Sequence, residues 1–208
     1  RQQSVADLDP ERLDSLELGL RGRSGSWRWD VAAFYMETDN FIFRDAEGFN
    51  VSDGETRHVG AEFLLDWRFA PRWSLAAAAT WARHTYRFDR LAGGGEQIEK
   101  GNDVDTAPRR LSNLRLGWDF GPTGRAELEW VSLGDYYMNA ANTARYDGHD
   151  LFNLRVQQGF GARWLATLRV TNLLDEDYPE RADFAFGSFR YVPGRDRALF
   201  AELRYTAL

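Results

Sequence analysis

The sequence predicts an all-β chain of long antiparallel strands joined in up-and-down order, as in a transmembrane β-barrel. Three observations support this fold class. Polar and apolar residues alternate along nearly the whole chain, the connections between alternating segments are short and long in turn, and most tryptophans lie beside the short connections. Alternation with a period of two places consecutive side chains on opposite faces of a sheet.

The alternation extends over nine segments, so nine strands are predicted. They are centred on residues 16–20, 27–36, 59–69, 73–81, 114–120, 125–130, 152–157, 164–170 and 199–205. A strand that crosses a bilayer needs only about 10 alternating residues. The chain is 43% hydrophobic with a mean hydropathy of -0.54, as expected for alternation rather than for long apolar blocks. With no run of about 18 apolar residues, no transmembrane helix is predicted.

The connections between these segments differ in length in a regular way. Short Gly- or Pro-containing turns are predicted at 22–26, 70–72, 121–124 and 161–163, and longer polar loops at 44–56, 89–109, 139–148 and 178–196. Short turns at one end and long loops at the other are typical of outer-membrane barrels, with the turns on the periplasmic side. Within the last loop, Pro179 is expected to stop further strand pairing.

Tryptophans mark the end of the strands that carries the short turns. Aromatic rings at one level of a barrel form a lipid-facing girdle at headgroup depth. The predicted girdle consists of Trp27, Trp29, Trp67, Trp73, Trp118 and Trp164. A soluble β-sandwich, whose strands also alternate, is the competing fold, but its strands are usually shorter and its loops lack this two-ended asymmetry.

Composition excludes several function classes. The formal charge of -6 argues against a nucleic-acid-binding surface, and the absence of cysteine excludes disulfides and thiol catalysis. His58, His84 and His149 lie on different predicted strands without metal-ligand spacing, so no metal site is predicted. The acidic run 175–177 is interpreted as a solvated strand end, and no nucleophile motif is present. The sequence therefore predicts neither catalytic residues nor a cofactor.

Several stretches resemble the TonB-dependent outer-membrane receptors. They are TNLLDEDY (171–178), YVPGRDRALFAELRY (191–205), RHVGAEFLLDW (57–67), APRRLSNLRLGW (107–118) and GDYYMNAANTARYDGHDLFNLRV (134–156). The resemblance therefore covers nearly the whole chain. Its most specific residues, termed the family motif below, are Asn172, Leu173, Asp175, Tyr178, Pro193, Gly194 and Arg197.

The resemblance implies transport in the bacterial outer membrane and not catalysis. Such receptors have a barrel of about 22 strands whose lumen is closed by an N-terminal plug. Residues 1–208 are accordingly expected to be the C-terminal portion of such a barrel, without plug domain, signal peptide or energy-coupling box. The implied partners are outer-membrane lipid, a ferric siderophore or other small metal chelate, the TonB complex acting through the plug, and the barrel-assembly machinery.

The last predicted strand departs from the family pattern, which usually ends on an aromatic residue. By parity from Tyr205, Ala207 occupies the place of that aromatic residue and Leu208 lies one position beyond it. Because the assembly machinery reads this strand in the family, recognition of the chain by that machinery is expected to be altered.

Ligand binding is expected at the long loops. Arg is the natural partner of carboxylate or catecholate oxygens, through paired charge-assisted hydrogen bonds. The candidate residues are Arg83, Tyr136, Tyr137, Arg145 and Tyr146. The alternative for each of them is a packing role, and for Tyr136 and Tyr137 in particular a place in an outer aromatic belt.

Two other functions remain open from the sequence. One is a smaller complete outer-membrane barrel that serves as a pore, an adhesin or an enzyme. The other is a soluble β-sandwich that binds glycans or proteins.

Overall fold

The protein, described as a computed structural model over residues 8–185 and 187–207, is built around one antiparallel sheet of nine strands. In spatial order these are β1 (Arg12–Ser24), β2 (Trp27–Arg44), β3 (Asn50–Ala70), β4 (Trp73–Tyr86), β7 (Arg110–Phe120), β8 (Gly124–Leu133), β11 (His149–Phe160), β12 (Trp164–Thr171) and β15 (Ala198–Tyr205). The predicted nine-stranded up-and-down order is confirmed, and β1 and β15 form the two edges of the sheet.

One face of this sheet, called the apolar face below, is apolar across all nine strands. The strand register aligns a single row of side chains that begins at an edge serine: Ser24, Trp27, Trp67, Leu75, Leu116, Leu128, Leu154, Val170 and Leu199. A shift of one residue in the pairing would move the apolar side chains of a strand to the other face. Every strand therefore alternates in step with its neighbours.

The opposite face, called the polar face, carries ion pairs and hydrogen bonds between strands. Arg68 and Arg125 both bind Asp119, at 3.1 and 2.8 Å. Glu129 accepts hydrogen bonds from Asn113 at 2.8 Å and from Asn153 at 2.9 Å. The other contacts join neighbouring strands, whereas the Arg68–Asp119 pair reaches across β4 from β3 to β7. This face is therefore built to be hydrated or covered by polar groups.

The predicted girdle tryptophans lie on the apolar face beside the short turns. The rings of Trp73 and Trp118 stack with centroids 5.8 Å apart, and Trp67 reaches them through Phe69, at 5.3 and 6.4 Å. Trp164 contacts Tyr205 with centroids 4.8 Å apart. Trp27, Trp67, Trp73, Trp118 and Trp164 are all exposed. Trp29 instead lies over Gly22, where an added Cβ would be 2.7 Å from the indole ring.

The long connections contain small elements of their own. These are β5 (Arg90–Leu91), a 3-10 turn (Gly93–Gly95), β6 (Gln97–Ile98), β9 (Tyr136–Tyr137), β10 (Arg145–Tyr146), β13 (Pro179–Ala185) and β14 (Ser188–Pro193). β5 pairs with β6, β9 with β10 and β13 with β14. Short turns and long loops thus alternate along the chain, and the short turns lie at one end of the sheet and the long loops at the other.

Two details of the predicted loops are wrong. The loop expected at 44–56 is confined to 45–49, because β2 and β3 continue to pair beyond it through two register shifts between Asp39 and Phe43. Pro179 does not stop pairing: it begins β13 and faces Pro193. Proline is compatible with the first residue of a strand, where no backbone N–H is required.

Within residues 8–185 and 187–207, no helix is long and apolar enough to cross a membrane. Leu208, which belongs to the C-terminal end that the assembly machinery is expected to recognise, lies outside the described residues.

Candidate ligand-binding site

Three of the long loops contact one another at the end of the sheet opposite the short turns. Glu96, in the β4–β7 loop, accepts hydrogen bonds from Asn139 Nδ2 at 2.7 Å and from the Ala141 backbone N–H at 3.2 Å. Asn142 and Asp103 exchange two hydrogen bonds of 2.8 Å through the Asn142 side chain and the Asp103 backbone. The β8–β11 loop is therefore fixed to the β4–β7 loop by side-chain amides that satisfy backbone groups.

Tyr136 joins this pair of loops to the β13–β14 hairpin. Its side chain is buried, and its hydroxyl both donates to Ala182 O at 3.0 Å and accepts from Ala182 N–H at 2.9 Å. Met138 and Ala182 are buried beside it, and Phe184 N–H donates to Met138 O at 2.9 Å. Tyr136, predicted as a ligand contact, is thus placed by the structure at the junction between loops.

Tyr136→Phe is expected to loosen this junction without removing the ring. The change leaves both backbone groups of the buried Ala182 without their partner, which costs about 2 kcal/mol. Hydrogen exchange at the Ala182 amide should therefore become about 30-fold faster. Tyr137→Phe is the control, because the Tyr137 hydroxyl has no hydrogen-bond partner within the described residues. Equal exchange in both variants would contradict the assigned role.

Arg145 is fixed by an acidic neighbour in the same loop. Asp135 binds the guanidinium of Arg145 and, at 3.0 Å, that of Arg110. Burial alone would raise the pKa of Asp135, but the hydrogen bonds from Arg145 and Arg110 outweigh it and keep the pKa below its usual value. Asp135 therefore stays ionised at neutral pH, and the side chain of Arg145 remains about half exposed to solvent despite its ion pair.

Tyr137 and Tyr146 lie on the small β9–β10 hairpin, where Tyr137 faces Arg145 and Tyr146 faces Tyr136. The Tyr146 hydroxyl is 2.8 Å from His149 Nδ1. Burial, together with nearby acidic groups, raises the pKa of Tyr146 to about 12. Tyr146 is therefore a neutral hydrogen-bonding group at physiological pH. The structure brings Tyr136, Tyr137, Arg145 and Tyr146 together in this one hairpin.

Arg83 is separate from that group. In the register of the sheet it faces Val59, two residues after Trp81, and so shares the parity of the apolar face. Its guanidinium is 3.4 Å from Asp103, which also binds Arg109. Asp103 therefore balances the charge of Arg83 at the loop end of the apolar face.

A cavity of about 470 Å³ lies between the loops and was not predicted from the sequence. Its walls come from the β2–β3 connection, the β4–β7 and β8–β11 loops, and β13, and they include Phe43, Arg44, Tyr86, Glu96 and Phe184. Arg44 is exposed and forms no ion pair with a carboxylate in the described part of the chain. The lining also carries the carboxylates of Glu47, Glu96 and Asp105, and within this mixed wall the Arg44 guanidinium beside aromatic rings is the group that can contact an anionic, partly aromatic part of a ligand.

The family motif builds the base of the last loop. Asn172 is buried with a φ of 49°, and its side chain accepts from Glu176 N–H at 2.8 Å while it donates to Glu176 O and Arg195 O at 2.8 and 3.1 Å. Its own N–H donates to Asn153 Oδ1 at 3.0 Å. A short amide side chain in the left-handed region can satisfy several backbone groups of a turn at once.

The other motif residues close the two ends of this loop. Asp175 accepts from the Arg197 backbone N–H at 2.9 Å and from its guanidinium at 3.2 Å. Gly194 N–H donates to Tyr178 O at 2.8 Å, and a Cβ on Gly194 would overlap the Tyr178 ring. Leu173 N–H donates to Phe152 O at 2.6 Å, and Pro193 faces Pro179. The contacts of Asn172, Asp175 and Gly194 thus hold residues 172–178 against 193–197, and Leu173 ties the same segment to β11.

Over the described ranges, which omit residues 1–7, 186 and 208, no three His, Asp or Glu side chains converge as metal ligands.

Comparison with known proteins identifies the family. The family model described as "TonB dependent receptor-like, beta-barrel" matches residues 2–173. The chain belongs to this family. The match covers most of the main sheet, and the predicted resemblance is confirmed.

Solved structures of transport proteins share the fold. The ferric yersiniabactin uptake receptor FyuA from Yersinia pestis is 20% identical with a TM-score of 0.80 over 94% of this chain and 30% of that chain. The copper transporter OprC is 17% identical with a TM-score of 0.76, and the match covers 96% of this chain and 32% of OprC. The ferripyoverdine receptor of the outer membrane of Pseudomonas aeruginosa is 17% identical with a TM-score of 0.72, and the match covers 95% of this chain and 27% of the receptor. The chain thus spans about a third of the length of these proteins.

Proposed function

We propose that residues 1–208 are the C-terminal part of a receptor barrel in the bacterial outer membrane, which takes up a ferric siderophore or a similar small metal chelate. The observation that carries this proposal is the apolar row that continues across all nine strands, opposite a polar face and below a set of packed loops. In a bilayer the apolar face contacts lipid, and the tryptophans beside the short turns lie at headgroup depth.

The edges of the sheet support a place within a larger barrel. Among the described residues, β1 and β15 each pair on one side only. An edge strand in the hydrocarbon region leaves backbone groups unsatisfied, so further strands must pair with it there. The chain covers about a third of the length of its structural relatives, as expected for a segment of a larger barrel. The TonB complex would then act through a plug outside this chain, and the assembly machinery through β15.

Transport rather than catalysis is the function that the loops support. Arg44 at the cavity and Arg145, Tyr137 and Tyr146 on the β9–β10 hairpin offer guanidinium and phenol groups to an anionic chelate. We assign Tyr136 to loop structure instead, because it is buried and its hydroxyl binds both backbone groups of Ala182. Arg83 is assigned to sheet structure, because the register places it opposite Val59, on the parity of the apolar face.

Uptake of individual chelates tests the proposal. The full-length gene, expressed in a strain that lacks the receptor, should restore growth on at least one member of a panel of ferric siderophores. Arg44→Gln is expected to weaken binding of that siderophore at least tenfold, since a hydrogen bond to a charged group contributes about 1.5–3 kcal/mol. Arg72→Gln, an exposed arginine beside a short turn, is the matched control.

Two results would contradict the proposal. One is growth that no ferric or other metal chelate restores. The other is an Arg44→Gln variant that binds and transports its chelate as well as the Arg72→Gln control does.

A further inference from the structure

His58 and His84 lie side by side on the polar face, although 26 positions separate them in the chain. β3 pairs with β4 so that the two residues are directly opposite each other. Their Nδ1 atoms are 2.8 Å apart, and their ring centroids are 5.0 Å apart. Both side chains are only partly buried, so solutes can reach the pair.

The surroundings of this pair orient the rings. Thr56 Oγ1 is 3.0 Å from His58 Nε2, on the loop side of the pair. On the other side, Gly60 faces Ala82 and provides no competing polar group. On β2, Met36 faces His58, so its thioether belongs to the same row of side chains as the two imidazoles.

We propose that His58 and His84 bind one divalent transition-metal ion through their two Nδ1 atoms. Imidazole nitrogen suits Cu²⁺, Ni²⁺ and Zn²⁺, and Cu²⁺ binds such donors most tightly. Two bonds of about 2.0 Å to nitrogen hold the ligand atoms about 3.3 Å apart at a tetrahedral angle and about 2.8 Å apart at the roughly 90° angle of a tetragonal Cu²⁺ site, so the rings need to separate by at most about 0.5 Å. The remaining coordination positions are open to water, to the Met36 thioether or to the donors of a passing chelate.

The proton balance of this step is simple. In the metal-free pair, one Nδ1–H donates to the other Nδ1, which leaves one ring with an unprotonated Nε2. When the metal binds both Nδ1 atoms, that proton moves through water to the Nε2 of its own ring. Both imidazoles stay neutral, and no net proton is released. In the bound form His58 Nε2–H donates to Thr56 Oγ1, the second contact that metal-binding histidines usually make.

Copper binding by the full-length receptor in detergent tests this site. Titration with CuSO₄ followed by calorimetry is expected to show a Cu²⁺ site that disappears in the His58→Ala/His84→Ala double variant, with at least tenfold weaker binding in each single variant. Binding of Ni²⁺ and Zn²⁺ should be weaker than that of Cu²⁺. His149→Ala is the control, since His149 contacts Tyr146 and Tyr178 in the loop region and lies away from the pair.

A second measurement needs no variant. The electron paramagnetic resonance spectrum of the wild-type protein with one equivalent of Cu²⁺ should show coupling to two imidazole nitrogens. A spectrum with oxygen donors alone, or copper affinity retained in the double variant, would overturn the proposal. Metal binding by this pair is separate from chelate uptake: loss of uptake with retained copper coordination would contradict only the proposed function.

A substitution at Met36 tests whether its thioether is a ligand of the metal. Met36→Leu keeps the size of the side chain and removes its sulfur, which is a soft donor that favours Cu(I). The variant is expected to bind Cu(I) at least tenfold more weakly while its affinity for Ni²⁺ stays unchanged. Equal losses for both ions would show that Met36 supports the fold of the site and is not a ligand.

Discussion

Replacement of Asn172 by alanine is expected to lower the free energy of unfolding by about 3–5 kcal/mol. Three backbone groups at the base of the last loop lose the buried amide that they bind: Glu176 N–H, Glu176 O and Arg195 O. Each unsatisfied buried group costs about 1–3 kcal/mol. Alanine at a φ of 49° adds about 1 kcal/mol, because asparagine tolerates the left-handed region better.

Chemical unfolding of the full-length receptor in detergent measures this loss. Asn40→Ala is the matched control: Asn40 has a φ of 57°, but among residues 8–185 and 187–207 its side chain donates a single hydrogen bond, to Pro10 O at 3.1 Å. The control shares the backbone strain and is expected to lose about 1–2 kcal/mol. Equal losses for the two variants would mean that the three Asn172 side-chain hydrogen bonds stabilise the loop no more than the Asn40–Pro10 bond stabilises its own surroundings.

The same residues show what a sequence can and cannot predict about a loop. The stretch TNLLDEDY is recognisable by resemblance, yet the sequence alone suggests only a strand that ends in a solvated acidic run. Asp175 in fact binds Arg197, and Asn172 binds Arg195, both more than 20 positions away. Such contacts depend on how the β13–β14 hairpin returns to the sheet, and no local pattern encodes that return.

Strand alternation was informative only where the two faces have different surroundings. All four short turns and the nine strands were predicted, because an apolar face opposite a polar one imposes a period of two. The second predicted strand runs on towards 41–45, but the continuation of β3 through 50–56, opposite 38–44, is not predicted. Beyond the apolar band both faces of a hairpin meet water or other loops, so backbone pairing continues without a periodic signal.

Side chains that act together across strands were the least predictable. Metal-ligand spacing along one chain segment does not reveal His58 and His84, which lie opposite each other on neighbouring strands. The sequence predicts Arg83 as a loop-side ligand contact, whereas the register places it on the parity of the apolar face. Both outcomes depend on register, and a shift of one residue would reverse each of them.

Gly60→Ala is the second substitution with a large expected effect. Gly60 lies within RHVGAEFLLDW, in the middle of β3, between Phe34 on β2 and Ala82 on β4. An added Cβ would be 2.5 Å from Phe34 Cζ, 2.6 Å from the Trp81 backbone oxygen and 2.9 Å from Ala82 Cβ. The Phe34 ring can rotate away, but the Trp81 carbonyl is fixed by the sheet. Overpacking of this kind typically costs about 1–3 kcal/mol.

Gly19→Ala provides the matched comparison, because Gly19 also lies within a strand on the polar face. There the added Cβ would be 3.8 Å from Val31 O and 4.0 Å from Ala32 Cβ, which is ordinary contact. Alanine is favoured over glycine in a strand interior by about 0.5–1 kcal/mol, so this variant should be neutral or slightly more stable. Unfolding in urea with detergent should separate the two variants by at least 1 kcal/mol. Equal stability would show that the Trp81 carbonyl does not crowd Gly60 and that glycine is not required there for close packing.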